Sequence, residues 1–261
     1  MVVFHNDYAE NQPLASTIPA HGGRLAHFLK KNKKFSGCPP ICPTPFLKIP
    51  RSPLPITATP PYRFSLTAAS LRPELLLIIA ERFLQTGSWE KTKEGILASN
   101  ALQCRTATSS QRMERELRPR LQTLGHHQLE LLVRSGADTR TSLAWLAAVK
   151  HSSFLFDFAA DALRSKLERQ DHVLRESDYR RFIEEKTPAH PELLKLSEAT
   201  SGKVRSVLFA MLREAGILSK GDEIGSLQRP VIPHEVELSI RAENPKWLAA
   251  FLFTENEITA H

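Results

Sequence analysis

Apolar residues are distributed very differently in the first 60 residues and in the rest of the chain. Up to Pro60 no segment has a sustained helical or alternating apolar pattern, and eleven of the 18 prolines precede Tyr62. Proline removes a backbone donor and disfavours the helical conformation at the residue before it. We therefore expect residues 1–60 to form a disordered or loosely extended tail.

From residue 61 onward apolar residues recur at spacings of three and four, which is typical of amphipathic helices. Pro73 predicts the start of a helix that continues through Phe83 and ends near Gly87. Ser88 is the expected N-cap of a second helix. A short turn then leads to a longer helix, which is predicted to begin at about residue 105.

This longer helix has two contrasting faces. Its apolar face is formed by Ser110, Met113, Leu117, Leu121 and Leu124. The opposite face carries the first DNA-binding candidates, which are Arg105, Thr108, Arg112 and Arg115. Side chains of this kind can contact successive phosphates, and a guanidinium also reaches guanine edges. The alternative is a solvated face on which Glu114 and Glu116 balance the arginines. Pro119 is expected to kink or split the helix.

The block from residue 129 to residue 169 is predicted to supply much of the core. Its large apolar side chains recur at helical spacings and include Leu143, Trp145, Leu146, Val149, Phe154, Leu155, Phe158 and Leu163. Another helix is expected from Ser177 to Glu185. The fold class is therefore mainly α: a helical bundle with helix-turn-helix elements.

The C-terminal region has the outline of a winged helix. Residues 204–215 place apolar side chains on one face of a helix, and Gly216 follows in the position of a C-cap. A short strand at residues 217–219 and turn residues up to Gly225 complete the outline. The second DNA-binding candidates, Ser201, Lys203 and Arg205, lie near the helix start, where recognition helices meet DNA. Phe209 interrupts the polar face, so packing against a neighbouring element is an equally strong interpretation.

Charge is distributed unevenly along the chain, whose formal net charge is +7. Residues 1–61 have seven basic and two acidic residues, residues 62–150 have 13 and eight, and residues 151–261 have 15 and 18. We divide the chain into a tail (1–60), an N-terminal helical unit (61–170) and a C-terminal winged-helix-like unit (171–261). Any nucleic-acid interface must depend on local basic patches rather than on the overall charge.

The sequence excludes several classes of site. Cys38, Cys42 and Cys104 form no disulfide framework, and no second Cys or His pair at zinc spacing accompanies the first two. Glycine-rich phosphate loops, nucleophile elbows and His-Glu-x-x-His motifs do not occur. We therefore expect a non-enzymatic cytoplasmic protein with no catalytic residues, metal, cofactor, small-molecule substrate or membrane contact.

Several stretches from Tyr62 to the C-terminus together resemble one protein family. They are Tyr62-Arg63-Phe64-Ser65-Leu66-Thr67, Thr86-Gly87-Ser88-Trp89-Glu90, Leu102-Gln103-Cys104-Arg105-Thr106-Ala107, His190-Pro191-Glu192-Leu193, Ser197-Glu198-Ala199-Thr200 and the run from Val207 to Gly216. In this order they resemble the BrxA family of BREX bacteriophage-exclusion systems, formerly a family of unknown function. The resemblance does not cover the first 60 residues.

The resemblance implies a small helical protein without a recognised catalytic motif. Members of the family are compared with RNA-binding antitermination factors and with winged-helix DNA binders. Together with the basic helix faces, this favours a double-stranded-DNA-binding accessory factor, with other BREX proteins as further partners. A protein-interaction adaptor that meets acidic partners is the second hypothesis. RNA binding is the third, since no aromatic pair for stacking single-stranded bases is recognisable.

The lack of periodic apolar positions before residue 61 leads to a first prediction. A chain that starts at Pro61 should unfold at nearly the same temperature as the full-length protein, because the tail contributes no core side chains. Thermal unfolding followed by circular dichroism measures this. A drop of many degrees after truncation would show that the tail is part of the folded structure.

Overall fold

The computed structural model describes residues 60–64, 69–221 and 223–260, which are mainly helical. The mainly α fold class is therefore confirmed. All described residues belong to one compact unit. The tail predicted for residues 1–60 lies outside them except for Pro60, and the division at residue 170 stays a prediction. No helix of the described part is long and apolar enough to cross a bilayer.

Eleven α-helices occur in the described residues: α1 Pro73–Thr86, α2 Trp89–Ala98, α3 Ala107–Leu121, α4 His126–Arg134, α5 Ala137–His151, α6 Ser153–Asp157, α7 Arg164–Glu168, α8 Glu176–Lys186, α9 Glu198–Glu214, α10 His234–Glu243 and α11 Glu255–Thr259. A π-helical segment, Phe158–Leu163, joins α6 to α7. Two 3-10 helices span Pro191–Lys195 and Pro245–Phe251. Three strands, β1 Val173–Leu174, β2 Leu218–Ser219 and β3 Gly225–Leu227, form one small sheet.

The first two helices begin and end where the sequence predicts. Gly87 ends α1 in the left-handed conformation, at φ 62°, which glycine adopts without a Cβ clash. The hydroxyl of Ser88 accepts a hydrogen bond from the backbone N–H of Lys91 and caps α2. The connection to α3, residues 99–106, is longer than the short turn expected. It needs this length because Leu102, within it, is buried in the core.

Helix α5 lies at the centre of the fold, since every residue from 142 to 149 is buried. Leu143, Trp145 and Leu146 supply bulk, and the buried Ala144, Ala147 and Ala148 let neighbouring helices approach closely. Helices α1, α3, α4, α6 and α10 all contact it, as does the 3-10 helix Pro245–Phe251. The indole N–H of Trp145 donates to the carbonyl of Ala250 at 3.0 Å, so this buried polar group is satisfied.

Helix α3 differs from its prediction at its start and at Pro119. It begins at Ala107 because Thr106 caps it, so Arg105 precedes the helix. Pro119 lies in the last turn, and the helix continues to Leu121 without splitting. Pro119 removes one backbone hydrogen bond from the helix, and Leu117 and Leu121 on either side of it are buried in the core.

A cluster of aromatic rings joins the middle of the chain to α8 and α9. The rings of Phe154 and Phe158 meet the ring of Phe182 edge to face, with centroids 5.7 and 5.0 Å apart. Tyr179 makes the same kind of contact with Phe209, at 5.7 Å. The Phe209 side chain therefore packs against a neighbouring helix. This agrees with one of the two interpretations that the sequence allowed for this residue.

The small sheet lies beside α9 and has the order β1-β3-β2, with both pairs antiparallel. Gly216 follows α9 with φ 72°, which agrees with its predicted place at the helix end. Gly225 begins β3 with φ 152°, and a Cβ there would lie 2.4 Å from the carbonyl oxygen of Ser219. Only glycine allows the two strands to approach this closely.

Tyr62 anchors the first described residues to the helical body. Its ring stacks on the ring of His190, with centroids 3.5 Å apart. Its hydroxyl donates to Asp157 Oδ2 at 2.6 Å, and its backbone N–H donates to Glu192. Burial, with the nearby Asp157 carboxylate, raises the pKa of this phenol well above its usual value, so Tyr62 remains protonated and keeps this contact.

Arg120 is a buried cation on the inner face of α3, with 1% of its surface exposed. Its guanidinium donates to the carbonyls of Ser70 and Ala69 at 2.8 and 3.0 Å, and to Glu116 Oε1 at 2.9 Å. Burial lowers the pKa of Arg120, whereas the Glu116 carboxylate opposes that shift. Arg120 thus fixes the segment before α1 against α3.

This contact leads to a second prediction. Replacing Arg120 with Met should destabilise the protein by about 3 kcal/mol, because Glu116 and the carbonyls of Ala69 and Ser70 lose their partner. Urea unfolding measures the change. The matched control is Arg112→Met on the exposed face of the same helix, for which a change within about 0.5 kcal/mol is expected. Equal effects of the two substitutions would contradict the structural role of Arg120.

Candidate nucleic-acid interface

A basic groove of about 510 Å³ lies between α2 and α3. Its lining consists of Lys93, Leu97, Thr108, Gln111, Arg112, Glu114, Arg115 and Arg118. Four of these side chains are cationic and one is acidic. The groove is thus a local basic patch on the surface, and a nucleic-acid interface requires such a patch.

The cap at the start of α3 sets the direction of the groove side chains. The hydroxyl of Thr106 accepts a hydrogen bond from the backbone N–H of Ser109 at 3.1 Å and fixes the first turn. Thr108, Arg112 and Arg115 then follow at helical spacing and are exposed, whereas Ser110 on the other face is buried.

The structure therefore brings together three of the four candidates on this helix. Thr108, Arg112 and Arg115 all line the groove. Arg105 is exposed but precedes the helix and does not belong to the lining. Because Thr106 is the N-cap of α3, Arg105 lies outside the helix, and helical spacing does not place it on the same face as the other three.

Two cations of the groove were missed by sequence reasoning. Arg118 continues the spacing of Arg112 and Arg115 by one further step of three residues, so the helical pattern could have identified it. Lys93 belongs to α2 and reaches the groove only because α2 packs against α3. No local pattern contains that information.

In the described residues, the acidic side chains of α3 form ion pairs with arginines other than Arg112 and Arg115. Glu116 binds the buried Arg120, at 2.9 Å, and Glu114 contacts Arg118, at 2.6 Å. Within the described residues, neither Arg112 nor Arg115 has an ion pair or a hydrogen bond to another side chain. The two carboxylates named in the alternative interpretation thus contact Arg118 and Arg120 directly.

The C-terminal candidates occupy different faces of α9. Lys203 is exposed, whereas Ser201 and Arg205 are half-buried. Successive residues of a helix are rotated by about 100°, so Lys203 points away from the other two. The guanidinium of Arg205 forms an ion pair with Glu176 of α8. The structure thus does not assemble these three side chains into one surface.

The described residues also offer no evident metal centre. No group of three or more His, Cys, Asp or Glu side chains is placed to hold a metal ion in this part of the chain. Cys38 and Cys42 lie outside the described residues. Cys104 is half-buried and is not disulfide-bonded.

The described chain is thus a mainly helical protein with a basic groove between two of its helices. The model of the BrxA family matches residues 60–244, which is more than half of the chain. The chain belongs to the BrxA family.

Individual relatives agree with this assignment. BREX protein BrxA of Escherichia coli is 26% identical over 139 residues, which are 53% of this chain and 65% of that protein. BREX protein BrxA of Paramagnetospirillum magneticum is 23% identical over 193 residues, covering 73% of this chain and 96% of that protein. The crystal structure of an uncharacterized protein from Magnetospirillum magneticum has a TM-score of 0.64 at 22% identity and covers 74% of this chain and 98% of its own. That likeness concerns the fold alone.

The capping of α3 leads to a third prediction. Replacing Thr106 with Ala should destabilise the protein by about 1 kcal/mol, because the first turn of α3 loses its side-chain cap. Chemical denaturation measures the change. Thr108→Ala, two residues along in the same turn, is the control and should have an effect within about 0.5 kcal/mol. A larger loss for Thr108 than for Thr106 would contradict the capping role.

Proposed function

We propose that this protein is a non-enzymatic DNA-binding accessory component of a BREX-type bacterial antiphage defence system. The name of its relatives, BREX protein BrxA, supports the system. The observation that carries DNA binding is the groove between α2 and α3, where Arg112 and Arg115 have no acidic partner among the described residues. The site of action is the cytoplasm, with other BREX proteins as partners.

The groove can hold a phosphate backbone. Arg112, Arg115 and Lys93 supply positive charge, and the Thr108 hydroxyl can donate to a phosphate oxygen. Binding a polyanion releases counterions, so affinity comes from the backbone and decreases as the salt concentration rises. Because the cations line a groove rather than a ridge, the main contacts are with phosphate and sugar, and stringent base reading is not expected.

The helix order agrees with two DNA-binding motifs. We propose α2 and α3 as the helix-turn-helix element; the connection between them, residues 99–106, is longer than the usual turn of three or four residues. In the C-terminal unit α8, α9, β2 and β3 follow β1, and the strand order β1-β3-β2 is compatible with a winged helix. Lys203 at the exposed side of α9 offers a second contact with DNA.

The adaptor hypothesis retains one specific observation. Val231 and Leu238, before and within α10, are 91% and 53% exposed. Large apolar side chains that remain exposed on a folded protein can form part of a contact with another protein. We propose contact with another BREX protein as a second role, which is compatible with DNA binding at α3.

The proposal is tested by fluorescence anisotropy with a labelled duplex over a series of salt concentrations. Wild-type protein should bind, and the double change Arg112→Glu with Arg115→Glu should abolish most binding while the protein remains folded. Residual binding should have a salt slope that is smaller by about one unit for each lost phosphate contact. Single-stranded DNA and structured RNA are measured in parallel.

The control is the change Lys203→Glu with Arg180→Glu, which alters the net charge equally at exposed sites of the C-terminal unit. It should reduce affinity much less. If the control variant abolishes binding and the variant with Arg112→Glu and Arg115→Glu has no effect, the C-terminal unit binds the DNA instead. If wild-type protein shows no salt-sensitive binding to any nucleic acid, the adaptor role replaces DNA binding.

A further inference from the structure

The basic groove contains one acidic side chain whose position is unusual. Glu114 lines the groove together with three arginines, and only 1% of its side chain is exposed. A carboxylate in this position repels any phosphate that enters the groove. The groove would attract anions more strongly without Glu114.

The contact between Glu114 and Arg118 is close but poorly directed. Glu114 Oε1 lies 2.6 Å from Arg118 Nε, yet both atoms are buried and neither has a hydrogen bond of acceptable geometry within the described residues. Buried polar atoms without a directed hydrogen bond are unfavourable. A phosphate oxygen in the groove that faced the Arg118 N–H groups directly would give Arg118 a hydrogen bond of better geometry than the one that Glu114 provides.

The neighbouring pair on the same helix has a different character. Glu116 and Arg120 have the same spacing of four residues, but the Arg120 guanidinium forms a directed bond to Glu116 and two more to backbone carbonyls. That pair fixes the segment before α1. Arg118, by contrast, is 25% exposed and lines the groove, so it can exchange its partner without unfolding the helix.

We propose that Glu114 is an internal competitor of phosphate: it holds Arg118 in the free protein and releases it to a nucleic-acid phosphate on binding. This inference rests on the proposed function, because it concerns the same groove. Glu114 then sets the strength and the salt dependence of binding. Arg112 and Arg115 make the first phosphate contacts, and Arg118 adds a further one only after leaving its carboxylate.

The exchange has a measurable consequence for counterions. When Arg118 moves to a phosphate, a cation is released from the nucleic acid, but the Glu114 carboxylate loses its partner and takes up a cation from solution in its place. The net number of cations released by the Arg118 contact is therefore close to zero. With glutamine at position 114 no cation is taken up, so the net number of cations released on binding should increase by about one.

The experiment compares wild-type protein with Glu114→Gln, by anisotropy on the same duplex and over the same salt series. The variant should bind roughly threefold more tightly at low salt, and its salt slope should be steeper by about one unit. The double variant Glu114→Gln with Arg118→Gln should lose that gain. Glu94→Gln, an exposed change on α2 outside the groove lining, should leave the slope unchanged.

A second measurement covers the case in which Glu114→Gln does not fold. The Nε–Hε resonance of Arg118 in wild-type protein should shift when duplex is added, and that of Arg120 should not. Unchanged affinity and slope in a folded Glu114→Gln variant would overturn the inference, as would an Arg118 resonance that stays fixed while those of Arg112 and Arg115 shift. In both cases the wild type still binds, so the proposed function stands. Absence of wild-type binding overturns both.

Discussion

Burial of α5 around its whole circumference is the constraint on which the rest of the fold depends. A helix whose residues 142–149 are all inaccessible to water must be enclosed by other elements, and α1, α3, α4, α6 and α10 enclose it. Each enclosing helix needs one apolar face toward α5 and can keep a polar face outward. The outward face of α3 is therefore available for binding because its inward face, with Leu117 and Leu121, is fixed by the core.

The arginines of α3 have different roles according to the face on which they lie. Arg120 is on the inner face, where it binds backbone carbonyls and Glu116 and stabilises the segment before α1. Arg112 and Arg115 are on the outer face and have no acidic partner among the described residues. Arg118 lies between these extremes, in contact with Glu114 at the groove. All of these residues are arginines, so their different roles come from how deeply each side chain is buried and from which group it contacts.

Local features of the fold could be predicted from the sequence and tertiary ones could not. Periodicity and capping residues identified α1 and α2, because caps such as Ser88 and Gly87 act within one turn. Helix α3 starts two residues later than predicted, because the Thr106 hydroxyl caps it, whereas the spacing of the basic residues alone extended the helix to Arg105. The contribution of Lys93 to the groove depends on how α2 packs against α3, which no local spacing specifies. The DNA-binding role of the groove residues stays a prediction.

The central claim is that the side chains lining the groove between α2 and α3 contact the phosphate backbone of duplex DNA. Site-specific photo-crosslinking tests it most directly, with a photoreactive residue introduced at Gln111, which lines the groove and is exposed. The comparison site is Lys203, which is exposed on α9. We predict that irradiation joins labelled duplex to position 111 in good yield and that added salt suppresses the adduct. Efficient adduct formation from position 203 with none from position 111 would contradict the account.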